Sequence, residues 1–273
     1  MKTFLARRWM LSLTTLALGL TLLAVWWLGR NALRPVGLYT GWLLLVLLLG
    51  LAFFGARKKL PFLPLWSASA WLQFHIYAGW LAVLVFLLHT GARLPGGLLE
   101  CLLWSGFVLV AVSGAFGLWL SRWLPPRLAR SGESLIFERI PQLRHRLETE
   151  ARALVRQAEA ETKSSTLADF YLRLLAPYFG HVPALFAPLA GSDAGHHYVA
   201  RELAALRRVL NQREMAIADQ LGDLLEAKRN LDYQLAGQRL LKLWLFAHIP
   251  LTYGLLVLVG AHVWLVLLYS HRL

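Results

Sequence analysis

Five stretches of the chain are almost wholly apolar, and each is long enough to cross a lipid bilayer. They cover residues 9–28, 38–55, 66–90, 98–120 and 241–269. About 20 apolar residues of helix span the hydrocarbon core of a membrane, where backbone polar groups must be satisfied within the helix itself. The pattern therefore predicts an all-α integral membrane bundle of five transmembrane helices. The first stretch could also be a signal peptide, but its length and the lack of a small-residue cleavage site favour a retained helix.

A polar stretch, residues 122–238, separates the fourth and fifth apolar segments. Its pattern predicts an amphipathic helix over residues 133–160, an interruption rich in proline and glycine, and a second helix that begins near His197. The apolar positions of the two helices are Ile136, Ile140, Leu143, Leu147 and Leu154, then Leu203, Leu210, Ile217, Leu224 and Leu231 at seven-residue spacing. This pattern predicts a helical hairpin inserted between two membrane helices, either a stalk that packs on itself or a docking surface for a partner.

The predicted organisation has three parts. Residues 1–121 hold the first four transmembrane helices, residues 122–238 the hairpin, and residues 239–273 the fifth transmembrane helix with a short tail. Basic residues flank the apolar segments unequally: Lys2, Arg7, Arg8, Arg57, Lys58 and Lys59 on one side, and Arg30, Arg34 and Arg93 on the other. Because cytoplasmic loops carry the excess of Lys and Arg, we expect a cytoplasmic N-terminus and hairpin. The third and fifth transmembrane helices should then run in the same direction.

Charge and cysteine content exclude several classes of function. The net charge is +13, but 18 of the 28 Lys and Arg residues lie between Arg122 and Lys242, among 14 of the 15 acids. This near balance argues against a nucleic-acid partner and leaves the lipid bilayer as the expected one. The single cysteine, Cys101, excludes an intrachain disulfide, a covalent CxxCH haem site and a four-cysteine iron–sulfur cluster.

Four histidines, His75, His89, His248 and His262, lie well inside the apolar segments. Ionisable side chains in a membrane are uncommon and usually functional, because hydrocarbon offers an imidazole no water. Both histidines of the third segment are 14 positions apart, as are both of the fifth. Fourteen residues of helix complete four turns less about 40° and rise about 21 Å, so each helix presents two histidines on nearly one face at two depths.

Parallel helices would bring these histidines together as two facing pairs. His75 would meet His248 near the cytoplasmic side, the first pair, and His89 would meet His262 near the outer side, the second pair. A haem iron that is bound by a histidine on each side has no open coordination position, so such a haem suits electron transfer. Any one buried histidine is more often a packing residue than a ligand, but packing gives no reason for two matched pairs. The remaining histidines lie in the polar stretch or the tail, and the adjacent His196 and His197 are expected at the surface.

At these residues the sequence resembles two families: the cytochrome b subunit of quinol-oxidising complexes, and the transmembrane ferric reductase and NADPH oxidase superfamily. The resemblance covers residues 66–120 and 241–269, and its specific content is the double histidine pair. It implies two b-type haems with His75, His89, His248 and His262 as the axial ligands. Ferric reductases generally continue into a flavin and nicotinamide domain, whereas this chain stops at Leu273 and has no GxGxxG loop. We therefore expect no direct oxidation of NAD(P)H.

Other departures favour a divergent diheme subunit of a larger redox complex. The Pro-Glu-Trp-Tyr loop of the quinol-oxidising relatives is missing, and the helical insertion is foreign to both families. The expected activity is electron transfer across an energy-transducing membrane, such as a bacterial inner membrane, between a quinone pool and another redox subunit such as a cytochrome c or an iron–sulfur protein. The alternative is a non-redox membrane anchor, or a proton-coupled transporter, whose cytoplasmic hairpin docks a partner.

Charged residues near the ends of the apolar segments could assist either haem or a quinone. Arg93 follows His89 by four residues and could pair with haem propionates, as could Lys58 or Lys242 on the other side of the membrane. Glu100 is the one acid outside the middle of the chain and could accept a proton from a quinol. Lipid contact or interfacial charge explains these residues equally well.

Overall fold

The structure, a computed structural model, describes residues 2–56, 67–130, 139–189, 191 and 193–270, and this part of the chain is helical with no strand. Its first four helices are α1 (Lys2–Asn31), α2 (Val36–Ala56), α3 (Ala68–Thr90) and α4 (Leu98–Arg130). They are followed by α5 (Ile140–Thr162), α6 (Thr166–Phe170), a π-helical turn (Tyr171–Leu175), α7 (Ala176–Gly180), α8 (Ala194–Leu206) and α9 (Gln212–Ser270). Helices α1 to α4 and α9 are long and apolar enough to cross a membrane. The prediction of five such helices is confirmed, and the protein is all-α as expected.

Local sequence signals define both ends of α3, the helix that carries His75 and His89. The Ser67 hydroxyl accepts a hydrogen bond from the Ala70 amide, 3.3 Å away, which satisfies one of the free donors at a helix start. At the other end Gly91 adopts a left-handed conformation, with φ of 61°, and its amide donates to the Leu87 carbonyl. Because glycine enters this conformation without steric cost, the helix ends shortly after His89.

The chain divides into two compact units, and Met1–Leu118 with Leu245–Leu273 form the first. Its core contains seven buried residues from four helices: Leu44, Leu48, Ala82, Val85, Phe86, Phe107 and Leu255. The rings of Phe86 and Phe107 are stacked, with centroids 4.0 Å apart and planes inclined by 9°. The Trp26 indole donates to the Leu88 carbonyl over 3.1 Å and so links α1 to α3. In lipid, such packing and hydrogen bonds are the forces that hold helices together.

Trp119–Trp244 form the second unit. Its core joins α5, the helical segment 166–180, α8 and the first part of α9, so it contains more than two helical arms. The expected helix over 133–160 is observed from Ile140 to Thr162, whereas Glu133 and Ile136 lie outside the described residues. Arg57, Lys58, Lys59 and the tail beyond Ser270 also lie outside the described residues.

The prediction of one continuous second helix from His197 onwards is wrong. The chain forms α8 and then leaves the helical conformation until α9 begins at Gln212. The Asn211 side chain accepts hydrogen bonds from the amides of Arg213 and Glu214, and the Glu214 carboxylate accepts one from the Asn211 amide over 3.0 Å. This reciprocal cap starts a new helix and explains the break. Leu203 and Leu210 are nevertheless both buried, so the apolar spacing correctly marked core positions.

A buried ionic cluster lies inside the second unit. Lys228 is only 2% exposed; its ammonium group is paired with Asp232, lies 4.4 Å from the centre of the Tyr178 ring and donates to the His181 carbonyl. The Arg144 guanidinium is 3.7 Å from the Asp232 carboxylate. Burial lowers the pKa of Lys228 and raises the pKa of both Asp232 and Tyr178, because each charged form loses its hydration. Charges buried in this way need partners, and here they have them.

The surface position expected for His196 is wrong, although His197 is exposed as expected. His196 is 3% exposed, and its Nε2 lies 2.9 Å from a carboxylate oxygen of Glu226. Its Nδ1 is 3.4 Å from the Tyr178 hydroxyl. The ring thus ties the start of α8 to α9, a long-range contact that the local sequence around two adjacent histidines does not reveal.

Candidate functional site

The four histidines singled out from the sequence all lie in the first unit, two on α3 and two on α9, and each is half-buried. The rings of His89 and His262 face each other across the two helices, with centroids 6.4 Å apart and planes inclined by 81°. His75 and His248 are close enough for their imidazoles to interact electrostatically. Since His75 precedes His89 and His248 precedes His262, these stretches of α3 and α9 run in the same direction.

The first pair differs from the second in its surroundings. The ring of His75 contacts the ring of Phe54 on α2, with centroids 5.1 Å apart. Its Nδ1 is buried without a hydrogen bond of normal geometry, and the Leu51 backbone carbonyl interacts with the ring only at longer range. The first ring is therefore positioned mainly by its contact with α2.

Two of the four rings are held through Nδ1 by neighbouring helices. His89 Nδ1 lies 3.0 Å from the Gly37 carbonyl oxygen and 3.4 Å from the Thr40 hydroxyl, both on α2. His248 Nδ1 lies 3.1 Å from the Ser113 hydroxyl on α4. When a histidine binds a metal, its other ring nitrogen is usually hydrogen-bonded in this way, which fixes the ring orientation.

Several glycines lie on the helices that carry or contact the histidines. A Cβ atom at Gly106 would lie 3.4 Å from the Leu255 side chain, and one at Gly114 would lie 3.8 Å from His248, both ordinary contacts. A Cβ atom at Gly79, Gly254 or Gly260 would meet nothing within 4 Å. Gly254 and Gly260 are exposed, so these positions lie at the surface of α9.

The second pair fits an iron ion held between two imidazoles. Two metal–nitrogen bonds of about 2 Å each, plus about 1 Å from each nitrogen to its ring centre, separate the ring centres by about 6 Å. The observed separation of the His89 and His262 rings is 6.4 Å. The hydrogen-bonded Nδ1 atoms of His89 and His248 fit the same group.

The charged residues considered for auxiliary roles have different surroundings. Glu100 accepts hydrogen bonds from the amides of Gly96, at 3.0 Å, and Gly97, at 3.4 Å, and so caps the start of α4. Its carboxylate also interacts electrostatically with His262. Arg93 is exposed in the loop after α3, and Lys242 is exposed on α9 in the second unit, whereas Lys58 lies outside the described residues.

Comparison with known proteins gives no match: no family model, curated protein or solved structure is similar to this chain. Within the described residues, no group of three or more His, Cys, Asp and Glu side chains is close enough to share a metal ion. A haem needs only two protein ligands, since the porphyrin nitrogens supply the rest.

Sequence reasoning missed Thr40, Gly41 and Ser113, which surround two of the histidine rings. Thr40 and Ser113 are polar residues within long apolar stretches of their helices, a sequence signal that points to them. Their spacing gives no hint of a histidine partner, however, because they belong to different helices from the histidines.

Proposed function

We propose that this protein is a membrane diheme cytochrome b, a subunit of a larger complex, which transfers electrons across the bilayer between a quinone pool and a redox partner. The observation that carries the proposal is the facing arrangement of His89 and His262, 6.4 Å apart between ring centres, on helix stretches that also bring His75 near His248. A single close pair could result from packing. Two pairs at two levels of the same helices match the requirement of two haems in series.

Each haem would be held by one histidine from α3 and one from α9, His75 with His248 and His89 with His262. When bound, haem supplies a one-electron carrier, and two histidine ligands leave the iron no position for oxygen or substrate. The side chains between the two levels include Ala82, Val85 and Leu255, which are all buried in the apolar core of the first unit. Such an apolar layer favours movement of electrons rather than of ions or protons.

The proposed location is an energy-transducing membrane, such as a bacterial inner membrane, with the N-terminus on the cytoplasmic side. Five helices long and apolar enough to cross a membrane support the membrane setting. The bias of Lys and Arg towards one set of flanking segments supports the orientation. In this orientation residues 122–238 form a cytoplasmic domain inserted between the fourth and fifth crossings, where a cytochrome c or iron–sulfur partner, or another subunit, would find a docking surface.

A quinone is the proposed small-molecule partner, at the level of the second pair. Glu100 supports this position because its carboxylate interacts with His262 and could accept a proton there. Its hydrogen bonds to the Gly96 and Gly97 amides favour a capping role at the same time. Arg93, in the loop that follows α3, would supply positive charge for haem propionates at this level.

Haem stoichiometry tests the proposal directly. The full chain, produced in cells supplied with a haem precursor and purified in mild detergent, should contain about two haems per chain by the pyridine haemochrome assay. Its reduced-minus-oxidised spectrum should show sharp b-type bands. The double variant His75→Ala/His89→Ala, which removes one ligand from each pair, is the matched control and should contain none. A wild-type chain that folds without haem would overturn the proposal and favour the non-redox anchor or the proton-coupled transporter.

A further inference from the structure

The hydrogen bond at His89 determines which nitrogen of this ring carries the proton. Its Nδ1 lies 3.0 Å from the Gly37 carbonyl oxygen, and a carbonyl can only accept a hydrogen bond. Nδ1 must therefore be the protonated nitrogen. In a neutral imidazole the other nitrogen, Nε2, then bears the lone pair that binds a metal.

Two further residues of α2 restrict the position of the same ring. The Thr40 hydroxyl donates to the Val36 carbonyl over 2.8 Å, so its oxygen can accept a second hydrogen bond from His89 Nδ1, 3.4 Å away. A Cβ atom at Gly41 would lie 2.9 Å from His89 Cε1, closer than real Cβ contacts. Only glycine at this position lets the ring lie so close to the α2 backbone.

An equivalent contact is made at the first pair by a different helix. His248 Nδ1 lies 3.1 Å from the Ser113 hydroxyl of α4. A hydroxyl can accept a hydrogen bond as well as donate one, so the Ser113 oxygen can accept a hydrogen bond from a protonated Nδ1. The backbone does not restrict this ring as it does at His89, since a Cβ atom at Gly114 would make only an ordinary contact of 3.8 Å with the His248 ring.

We propose that α2 and α4 are positioning helices for the two pairs: Gly37, Thr40 and Gly41 hold the His89 ring, Ser113 holds the His248 ring, and both histidines bind iron through Nε2. This inference rests on the proposed function and deepens it. It makes Thr40, Gly41 and Ser113 positioning residues that touch a ligand and not the reacting group. Because the contacts come from separate helices, each pair can be altered without the other.

Ser113→Ala tests the contact at the first pair. Removing the acceptor makes the His248 imidazole a less basic ligand, so the midpoint potential of one haem should rise while that of the other stays unchanged. The affinity for that haem should fall by about 10- to 100-fold, the usual effect of losing such a partner. Ser113→Thr keeps the hydroxyl and should restore both values. Ser105→Ala is the matched control, since the Ser105 hydroxyl donates to the Cys101 carbonyl of its own helix.

Gly41→Ala and Thr40→Val test the contact at the second pair. The added methyl group of the first variant must displace the His89 ring, so the haem of this pair should show changed low-spin signals in electron paramagnetic resonance and weaker binding. Thr40→Val keeps the helix shape and should produce a smaller change in the same signal. The control is Gly50→Ala on the same helix, where the new Cβ would make an ordinary contact of 3.8 Å with Phe74.

The outcomes separate this inference from the proposed function. Two haems in the wild type, with potentials and resonance signals that are the same in Ser113→Ala, Thr40→Val and Gly41→Ala, would overturn the positioning role and leave the cytochrome assignment intact. Equal changes at both haems in any one variant would also overturn it, because they would indicate a general structural effect. A wild-type chain without haem would overturn both.

Discussion

Ala82 and Leu255 lie in one buried core, and each is seven residues from both histidines of its own helix. Ala82 is 2% exposed and Leu255 3%. Seven residues make about two helical turns, so the midpoint residues share the face that carries the histidines. The two pairs are thus separated by a layer of packed apolar side chains, and each should behave as an independent site.

His89→Ala should therefore remove one haem and spare the other. We expect the haem content to fall from about two to about one per chain, because the first pair keeps both of its ligands. The measurement is the pyridine haemochrome assay combined with a redox titration, in which one of two components should vanish. His197→Ala, at an exposed histidine of the second unit, should leave both haems. If His89→Ala retains both, the second pair does not bind iron.

Phe107→Ala should destabilise the first unit much more than Phe116→Ala on the same helix. The Phe107 ring is 6% exposed and stacks on Phe86 at 4.0 Å, whereas Phe116 is 43% exposed. Loss of the packed ring leaves a cavity at a cost of about 3 kcal/mol, while an exposed ring should cost less than about 1 kcal/mol. Thermal unfolding in detergent, followed by circular dichroism, compares the two. Equal melting temperatures would contradict the packing seen between α3 and α4.

Lys228→Met should lower the free energy of unfolding by about 3 kcal/mol, because it leaves the Asp232 carboxylate buried without its closest cation. Lys228→Met/Asp232→Leu should recover most of this loss, since no unpaired charge remains. Denaturant unfolding in detergent measures both, with the exposed Arg156→Met as the control. A double variant as unstable as the single one would show that the ion pair does not account for the effect.

The destabilisation caused by Lys228→Met should depend on pH. Burial already raises the pKa of Asp232, and the Lys228 ammonium opposes this rise. Without Lys228 the pKa should rise further, so the folded state favours the protonated carboxyl. A group with a raised pKa stabilises the fold at low pH and ceases to do so as the pH increases through that pKa. The difference from wild type should therefore be greatest at neutral pH and shrink on acidification, and a difference that does not change would contradict this.

Glu214→Gln should lower stability at neutral pH by about 1 kcal/mol, because a neutral amide oxygen accepts the capping hydrogen bonds more weakly than a carboxylate does. Hydrogen bonds from the Ser164 hydroxyl and the Asn211 amide lower the pKa of Glu214. A carboxylate with a lowered pKa stabilises the fold above its ordinary pKa, and this contribution is lost as the pH falls through the folded value. The difference from wild type should thus disappear in acid. Thermal unfolding between about pH 7 and pH 3 measures it, with Glu150→Gln, at an exposed position, as the control.

The sequence by itself determined the five long apolar helices and the spacing of the histidines. Apolar stretches of this length can only be satisfied as helices in lipid, and helical periodicity alone places His75 with His89, and His248 with His262, on one face. The seven-residue pattern from Leu203 to Leu231 also marked buried positions correctly. The same spacing continues across the break before α9, which follows from a local signal instead, the reciprocal cap of Asn211 and Glu214.

Only the tertiary structure decided which groups surround each ring. The neighbours of His89 are 49 and 52 residues away, at Thr40 and Gly37, and Ser113 is 135 residues from His248. The burial of His196 also depends on a contact between distant residues, since its partner Glu226 is 30 residues away. Periodicity describes one helix at a time, whereas hydrogen bonds between helices depend on how those helices pack. The chain pattern therefore reveals where the histidines lie, and packing determines which groups hold the rings of His89 and His248.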